Sequence, residues 1–219
     1  MKTITVAASK GGVGKSTVAA AIAVEAARCG QRVAMLDVDT QHSLSMWYAL
    51  RCETLPKSDN PLLIDVEKSE MIDEVRMRKF ARDASRTGIE LLVVDTPPAL
   101  MAKIEGAIGI ADLVIVPARP SPLDLLALDP VIELCEAARC PFHFLVNAYP
   151  PRSSLTTGTF KNLAGRGKVF ETMLGYRTSY AGAMMTGRTA AEIEKGDKAE
   201  AEIRALWKEI DGVLRTRAR

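Results

Sequence analysis

Short runs of apolar and β-branched residues alternate along the chain with longer stretches of helical periodicity. The runs that predict strands lie at residues 3–8, 32–36, 89–94, 113–116, 142–146 and 168–170. Because most positions in them are apolar, they are typical of parallel strands buried on both faces. The clearest helical stretches lie at residues 16–29, 70–86, 123–138 and 197–214. This alternation predicts an α/β fold, in which a doubly wound, mostly parallel sheet is flanked by helices.

Length and composition limit the classes of protein to which the chain can belong. The chain has 219 residues, of which 47% are apolar and 26% are charged, as in ordinary globular proteins. For this length we expect a single domain over residues 1–219. No apolar run is long enough to span a bilayer, so we expect no membrane partner. Residues 1–6 lack the apolar segment and cleavage site of a secretory signal, which predicts a cytoplasmic protein.

Cysteine spacing and charge distribution narrow the function further. The four cysteines, Cys29, Cys52, Cys135 and Cys140, show no C-x-x-C spacing and occur with only two histidines. We therefore expect reduced thiols and no zinc site. The net charge is +2, but residues 152–219 hold 13 Lys and Arg against 8 Asp and Glu. This basic excess permits a surface that faces a polyanion, but an ordinary solvated face is the commoner explanation.

A glycine-rich segment directly follows the first predicted strand. Residues 9–17 read SKGGVGKST and precede an alanine-rich helix, which is the order of strand, loop and helix that a phosphate cradle needs. Glycines let backbone N–H groups converge on a phosphate, and the helix N-terminus adds its partial positive charge. In this interpretation Lys15 reaches the β- and γ-phosphates and the Ser16 hydroxyl binds Mg²⁺. The alternative is an ordinary glycine-rich turn.

A carboxylate ends the third predicted strand. Residues 91–98 read LLVVDTPP, an apolar strand that delivers Asp95 at its end in the manner of a Walker B motif. Because carboxylate oxygens are preferred ligands of Mg²⁺, we expect Asp95 to hold the ion directly or through water. With the glycine-rich segment, this strand predicts a P-loop NTPase.

The signature K-G-G-x-G-K-[ST] at residues 10–16 resembles that of the deviant Walker A ATPases, which include the ParA and MinD proteins. The resemblance implies that Lys10 crosses a nucleotide-sandwich dimer and touches the ATP phosphates of the partner subunit. Such a lysine neutralises charge that develops during phosphoryl transfer, which couples hydrolysis to dimerisation. The ATP ligands implied here are Lys10, Gly11, Gly12, Val13, Gly14, Lys15, Ser16 and Thr17.

A second family motif follows the second predicted strand. Residues 37–41 read DVDTQ, similar to the D-x-D-P-Q switch segment of the family. The resemblance implies that Asp39 positions or activates the attacking water and that Asp37 supports the magnesium site. Thr40 stands where proline is usual, so the loop lacks the fixed φ of proline and its stiffness is open. The alternative is a pair of surface aspartates at a strand end.

The expected site adds catalytic residues and metal ligands to the ATP ligands named above. The catalytic residues are Lys10, Lys15 and Asp39, and the metal ligands are Ser16, Asp37 and Asp95. Residues 115–124 look like the loop that helps to form the dimer face of small ParA proteins. Asn147, at the end of the fifth predicted strand, lies where some relatives recognise the purine base, although asparagine at a strand end is also a common turn former.

The last predicted helix, at residues 197–214, needs its own interpretation. Its apolar residues form one stripe, which favours a helix docked on the core. A membrane-targeting helix would carry a more uniformly basic polar face, whereas acidic residues are interspersed here. DNA contact is the third possibility. The basic residues expected to contact DNA are Arg177, Arg188, Arg204, Lys208, Arg215 and Arg217.

Within the family, the resemblance is nearest to the short ParA proteins that segregate plasmids and chromosomes. It implies a slow, Mg²⁺-dependent ATPase that forms a homodimer with ATP and associates with the nucleoid in that form. Because the first strand begins at Thr3, we expect no preceding helix-turn-helix, so DNA binding should be non-specific. A ParB-like or other adaptor protein would stimulate hydrolysis and define the plasmid, chromosome or other cargo.

Three alternatives come from other functional classes. A MinD-like positioning ATPase would cycle on and off a membrane through the last helix. A metabolic amide-forming or carboxylating enzyme would need a substrate pocket, for which the residues after Pro150 leave little space. An iron–sulfur reductase would need cysteines at the dimer axis, and none follows Asp95 closely enough to suggest one.

Overall fold

The computed structural model describes residues 1–56, 73–151, 153–193 and 196–216. Within these residues the strands are β1 (Lys2–Val6), β2 (Val33–Asp37), β3 (Leu91–Asp95), β4 (Leu113–Ala118), β5 (Phe142–Val146) and β6 (Lys168–Val169). The helices are α1 (Lys15–Arg28), α2 (Ser43–Thr54), α3 (Glu74–Arg86), α4 (Met101–Ile108), α5 (Pro122–Leu126), α6 (Asp129–Ala137), α7 (Ser154–Ala164), α8 (Thr178–Met184), α9 (Ala190–Ile193) and α10 (Lys198–Thr216).

The strands form one parallel sheet in the order β2-β3-β1-β4-β5-β6. From β1 the chain moves to one side of the sheet, and from β4 it moves to the other. Ligands of such sheets bind beyond the carboxyl ends of the strands, near the point where the direction changes. The predicted α/β fold with a doubly wound parallel sheet is confirmed.

Alternate residues of the central strands pack against different helices. Leu91 and Val93 of β3 share a core with α1 and α10, whereas Leu92 and Val94 pack with α3 and α4. Every residue of β2, β3 and β4 is buried, because helices cover both faces of the sheet. This layering explains why the strands are apolar without a period of two.

The predicted extent of one helix was wrong. Residues 123–138 do not form a single helix but divide into α5 and α6. Pro130 lies in the first turn of α6, where its missing N–H costs nothing. Within a continuous helix its ring would clash with the carbonyl of Leu126, four residues earlier, which is where α5 ends. The break leaves α5 as a short, separate element beside the glycine-rich loop.

Other boundaries shift by a few residues. The helix predicted at residues 70–86 begins at Glu74 in the structure, after Asp73, whose side chain accepts a hydrogen bond from the Arg76 amide. Its predicted residues 70–72 lie outside the described part of the chain. Helix α10 extends to Thr216, two residues further than predicted. In the described ranges no helix has the length and apolar character that crossing a membrane requires.

Candidate nucleotide site

The loop between β1 and α1 has a backbone that requires glycine. Gly12 and Gly14 have φ values of 73° and 91°, in the left-handed region that strains any residue with a side chain. At Gly14 a Cβ atom would also overlap the Nδ2 atom of Asn147. The first amides of α1, which no helix carbonyl satisfies, follow Gly14 directly. The loop and helix therefore form a site suited to an anion.

Lys15 begins α1 and lies inside this loop. Only 6% of the residue is exposed, and its Nζ atom donates to the Lys10 carbonyl oxygen at 3.1 Å. Burial lowers the pKa of Lys15, while the nearby carboxylates of Asp95 and Asp39 oppose that shift. A phosphate at the loop would supply negative charge where the buried ammonium needs it.

Asp95 ends β3, directly beside the end of β2. It is fully buried, and neither carboxylate oxygen accepts a hydrogen bond of normal geometry from any described residue. Burial raises the pKa of Asp95 to about 7; Asp37 and Asp39 act in the same direction, and the Ser16 hydroxyl and Lys15 oppose them. Two unsatisfied carboxylate oxygens near a hydroxyl are oxygen ligands of the kind that Mg²⁺ prefers. Asp95 and Ser16 therefore fit the predicted metal site.

Asp37 and Asp39 occupy the neighbouring loop. Asp37 pairs with Asp95 in the register of β2 and β3, and it accepts hydrogen bonds from the Asp39 amide at 3.0 Å and from the amide and hydroxyl of Ser45 at 2.9 Å. It thereby fixes the loop to the start of α2. Asp39 is 8% exposed and accepts from the Gln41 amide at 3.0 Å. The magnesium role of Asp37 and the water-positioning role of Asp39 stay predictions.

Lys10 does not point to the cradle of its own loop. Its Nζ atom forms an ion pair with Asp124 of α5, whose other carboxylate oxygen accepts from Arg119 Nε at 2.7 Å. The Asp124 side chain is 1% exposed. The Ser9 hydroxyl also donates to the Ala127 carbonyl, which joins the glycine-rich loop to α5 a second time. The sequence analysis missed Asp124 as the partner of Lys10, because nothing in the local pattern links them.

A cavity of about 220 Å³ lies beside the glycine-rich loop. Its walls come from the loop and α1 on one side and from the segments after β5 and β6 on the other. The lining includes Gly12, Val18, Asn147, Leu174, Tyr176 and Arg177. Asn147 donates from Nδ2 to the Val13 carbonyl oxygen at 2.7 Å. Asn147 therefore lies at the cavity, while its contact with a base stays a prediction.

The predicted DNA contacts do not form one cluster. Arg177 lines the cavity and pairs with Glu202, so it is separate from the exposed face of α10. Arg188 is half-buried, and its carbonyl accepts from the Trp47 indole. Arg217 lies outside the described residues. The remaining predicted contacts, which are exposed at helical spacing on α10, are Arg204, Lys208 and Arg215.

Acidic neighbours partly neutralise the charge of this face of α10. Arg204 pairs with Glu200 at 2.7 Å, and Arg215 pairs with Asp211 at 2.7 Å. Both arginines remain largely exposed, with more than half of each side chain accessible to solvent. The face is therefore basic but not uniformly so, as the sequence indicated.

The geometry defines a class of protein before any comparison is made. A glycine loop joins the inner strand β1 to α1, a buried lysine begins that helix, and carboxylates end the two neighbouring strands, β3 and β2. This is the arrangement of a P-loop nucleotide-binding protein. A family model described as the CobQ/CobB/MinD/ParA nucleotide binding domain matches residues 4–219. The chain belongs to this family, whose ParA and MinD members are ATPases. The predicted family and the predicted ATPase class are thus confirmed.

Individual relatives agree with this assignment. The chain is 31% identical to Protein ParA of Rhizobium radiobacter over 235 residues, covering 98% of this chain and 100% of ParA. It is 29% identical to the Maintenance of carboxysome distribution protein A of Halothiobacillus neapolitanus over 216 residues, 95% of each chain. The fold is similar to that of an ATP complex of an McdA variant from Cyanothece, with a TM-score of 0.76 and 17% identity, covering 98% of this chain and 96% of that one. ParA/MinD-type proteins of this kind take part in partition and positioning.

Proposed function

We propose that this protein is a partition ATPase that forms a homodimer around MgATP, binds DNA non-specifically in that form, and moves a cargo with the help of a stimulating adaptor. The observation that carries the proposal is the position of Lys10. It lies at the rim of the glycine-rich loop, one third exposed, and not inside the cradle that Lys15 occupies. A lysine at the rim can reach the phosphates of a second subunit.

The chain's own residues have distinct tasks in this proposal. Lys15 and the first amides of α1 bind the phosphates, and Asp95 and Ser16 hold Mg²⁺. The ion, when bound, neutralises charge on the phosphate oxygens. Asp39 orients the attacking water, and Asp37 fixes the loop that carries Asp39. Lys10 leaves Asp124 and contacts the partner's phosphates, while Arg119 remains paired with Asp124, so that carboxylate is not left alone.

The surface around Lys10 supports contact with a second copy. Leu123 and Leu126 flank Asp124 on α5 and are 69% and 72% exposed. Leu100 is 45% exposed and follows Ala99, whose amide donates to the Ser9 carbonyl at 3.0 Å. Exposed apolar side chains grouped around a functional cation are typical of an interaction surface. We therefore place the dimer face here, in agreement with the predicted role of residues 115–124.

The DNA interface and the cargo are the finer parts of the proposal. The exposed basic side chains of α10 supply phosphate contacts, and a dimer presents two such faces. The name of the Halothiobacillus relative supports a carboxysome as cargo, and the resemblance to short ParA proteins supports a plasmid or chromosome; a ParB-like or other adaptor would recognise it. We place the protein in the cytoplasm, associated with the nucleoid in its ATP form.

The first experiment measures mass by analytical ultracentrifugation with a non-hydrolysable ATP analogue. We expect the wild-type mass to double and Lys10→Ala to remain a monomer that still binds nucleotide. Lys2→Ala is a matched control, because Lys2 is also one third exposed and paired with an aspartate, Asp112. A wild-type protein that stays monomeric at saturating nucleotide would overturn the trans role of Lys10.

The second experiment measures duplex binding at several salt concentrations with ATP analogue, ADP or no nucleotide. We expect tight, sequence-independent binding only with the analogue. Neutralising Arg204, Lys208 and Arg215 together should flatten the log–log salt slope by up to about 0.9 for each phosphate that the variant no longer neutralises. Neutralising Arg78, Arg82 and Arg86, exposed on α3, is the matched control. DNA binding that ignores the nucleotide, together with ATP-dependent binding to anionic vesicles, would favour the MinD-like alternative.

A further inference from the structure

Helix α10 contacts both walls of the cavity beside the glycine-rich loop. On one side Ile203, Leu206 and Trp207 share a core with α1, the helix that follows the loop. Ion pairs between the two helices, including Arg204 with Glu25 at 3.8 Å, reinforce that contact. Because α1 carries the loop at its start, α10 is attached to the phosphate side of the site.

The second contact passes through one carboxylate. Glu202 Oε2 accepts from the Gly175 amide at 3.2 Å and from the Tyr180 hydroxyl at 3.1 Å. Glu202 Oε1 accepts from Arg177 Nη2, and the Glu202 side chain is only 14% exposed. Burial raises the pKa of Tyr180, so its hydroxyl stays protonated as a donor. A single side chain thus ties one backbone amide and two side chains to α10.

The residues that Glu202 holds form the far wall of the cavity. The Leu174 amide donates to the Val146 carbonyl at 3.0 Å, and the Tyr176 amide donates to the Tyr149 carbonyl at 2.8 Å. This segment therefore continues the edge of the sheet beyond β5. Tyr176 lines the cavity and is 70% exposed, so its ring is available to a ligand.

We propose that Glu202 is a positioning residue for the nucleoside part of the bound nucleotide. It holds the segment of Gly175, Tyr176 and Arg177 at a set distance from Gly12 and Gly14, so that the cavity keeps the width of a nucleoside. The phosphates bind at the loop, and the base and ribose enter the cavity against Tyr176. The inference rests on the proposed binding of ATP at the glycine-rich loop and assigns to α10 a role besides DNA contact.

Glu209 provides a matched control on the same helix. It lies seven residues after Glu202, on the same face, and also accepts two backbone amides, those of Glu171 and Thr172, each at 2.8 Å. Neither Glu171 nor Thr172 lines the cavity. Glu202→Gln and Glu209→Gln therefore make similar changes to the attachment of α10, but only the first concerns the cavity wall.

The experiment compares ATP with tripolyphosphate, a probe that has the phosphates but no nucleoside, by titration calorimetry with Mg²⁺. We expect Glu202→Gln to weaken ATP binding about tenfold, the scale of removing one charge-assisted hydrogen bond, while tripolyphosphate affinity stays within about twofold of the wild type. Glu209→Gln should change neither affinity. Tyr176→Ala, at an exposed position, should weaken ATP binding alone.

Three outcomes would overturn the inference. They are unchanged ATP affinity in Glu202→Gln, equal loss of ATP and tripolyphosphate binding, and equal effects of Glu202→Gln and Glu209→Gln. If Glu202→Gln does not fold, Arg177→Gln breaks the same ion pair from its other side. Its losses of ATP affinity and of tripolyphosphate affinity are then compared in the same way. Wild-type protein that binds neither ATP nor tripolyphosphate would overturn the proposed function itself, which separates the two failures.

Discussion

The phosphate side and the cavity side of the site are built in different ways. The phosphate side consists of the glycine-rich loop, Lys15 and the carboxylates that end β2 and β3, and each of these lies within a recognisable motif. The cavity side consists of segments after β5 and β6 that carry no motif, and the segment after β6 is held by α10. The residues of the phosphate side are determined by motifs at the strand ends. The shape of the cavity side is determined by contacts between elements that are distant in the sequence.

The two sides also differ in how far their buried charges are neutralised. Neither buried oxygen of Asp95 accepts a hydrogen bond of normal geometry from the described residues, and burial lowers the pKa of Lys15. On the cavity side Arg177 and Glu202 already neutralise each other. Unsatisfied buried charge is costly, so the phosphate side gains much when a phosphate and a cation bind. The cavity side has little charge to satisfy and contributes through its shape.

Among the variants that test this contrast, we expect the largest effect for Lys15→Ala. Truncating one partner of a buried charge pair at a binding interface typically costs about 2–5 kcal/mol of binding free energy, so we expect binding of both ATP and tripolyphosphate to be lost, and hydrolysis with it. Calorimetry measures both affinities. Lys161→Ala, on the exposed face of α7, is the control and should bind as the wild type does. Unchanged ATP affinity in Lys15→Ala would refute the P-loop assignment.

Asp39→Ala should separate catalysis from binding on the phosphate side. We expect hydrolysis to fall on the order of 100-fold while ATP affinity changes little, because the carboxylate acts on the attacking water. Asp39→Asn is the comparison variant, since it keeps an acceptor for the Gln41 amide but removes the charge. Steady-state phosphate release measures the rate. A decrease below about threefold in both variants would reassign Asp39 to a structural role.

Asp95→Asn tests the unsatisfied charge through pH in the protein without nucleotide or metal. Because the pKa of Asp95 is about 7 in the fold and 3.8 ordinarily, its contribution to stability is complete below pH 3.8 and is lost as the pH rises to about 7. Relative to wild type, the variant should gain about 2 kcal/mol in unfolding free energy between pH 5.5 and pH 8. Urea denaturation at both values measures this gain.

The exposed Asp83 on α3 provides the control for that measurement. Its side chain is 54% exposed, so Asp83→Asn should show no comparable change with pH. An Asp95→Asn advantage that stays constant or shrinks as the pH rises would mean that the Asp95 carboxylate is satisfied in the fold. The phosphate side would then be as neutral as the cavity side, and the contrast between them would fail.

The sequence by itself determined the sheet, the glycine-rich loop and the carboxylates at the strand ends. Apolar runs and helical periodicity depend on local spacing, and the carboxyl ends of parallel strands meet at one edge of a sheet. Lys15 and Asp95 could therefore be placed together although 80 residues separate them. The break at Pro130 was also local, and the sequence analysis overlooked it.

Only the tertiary structure decided which charged side chains meet away from those strand ends. Lys10 and Asp124 lie 114 positions apart, and Glu202 reaches Gly175 from 27 positions further along the chain. The position of α5 against the loop, and of α10 against the cavity, depends on packing across the whole sheet. Periodicity shows which face of a helix is apolar, but it does not show which polar residue will lie opposite a given side chain. The motif residues could thus be named from the sequence, whereas the partners of Lys10 and Arg177 required the fold.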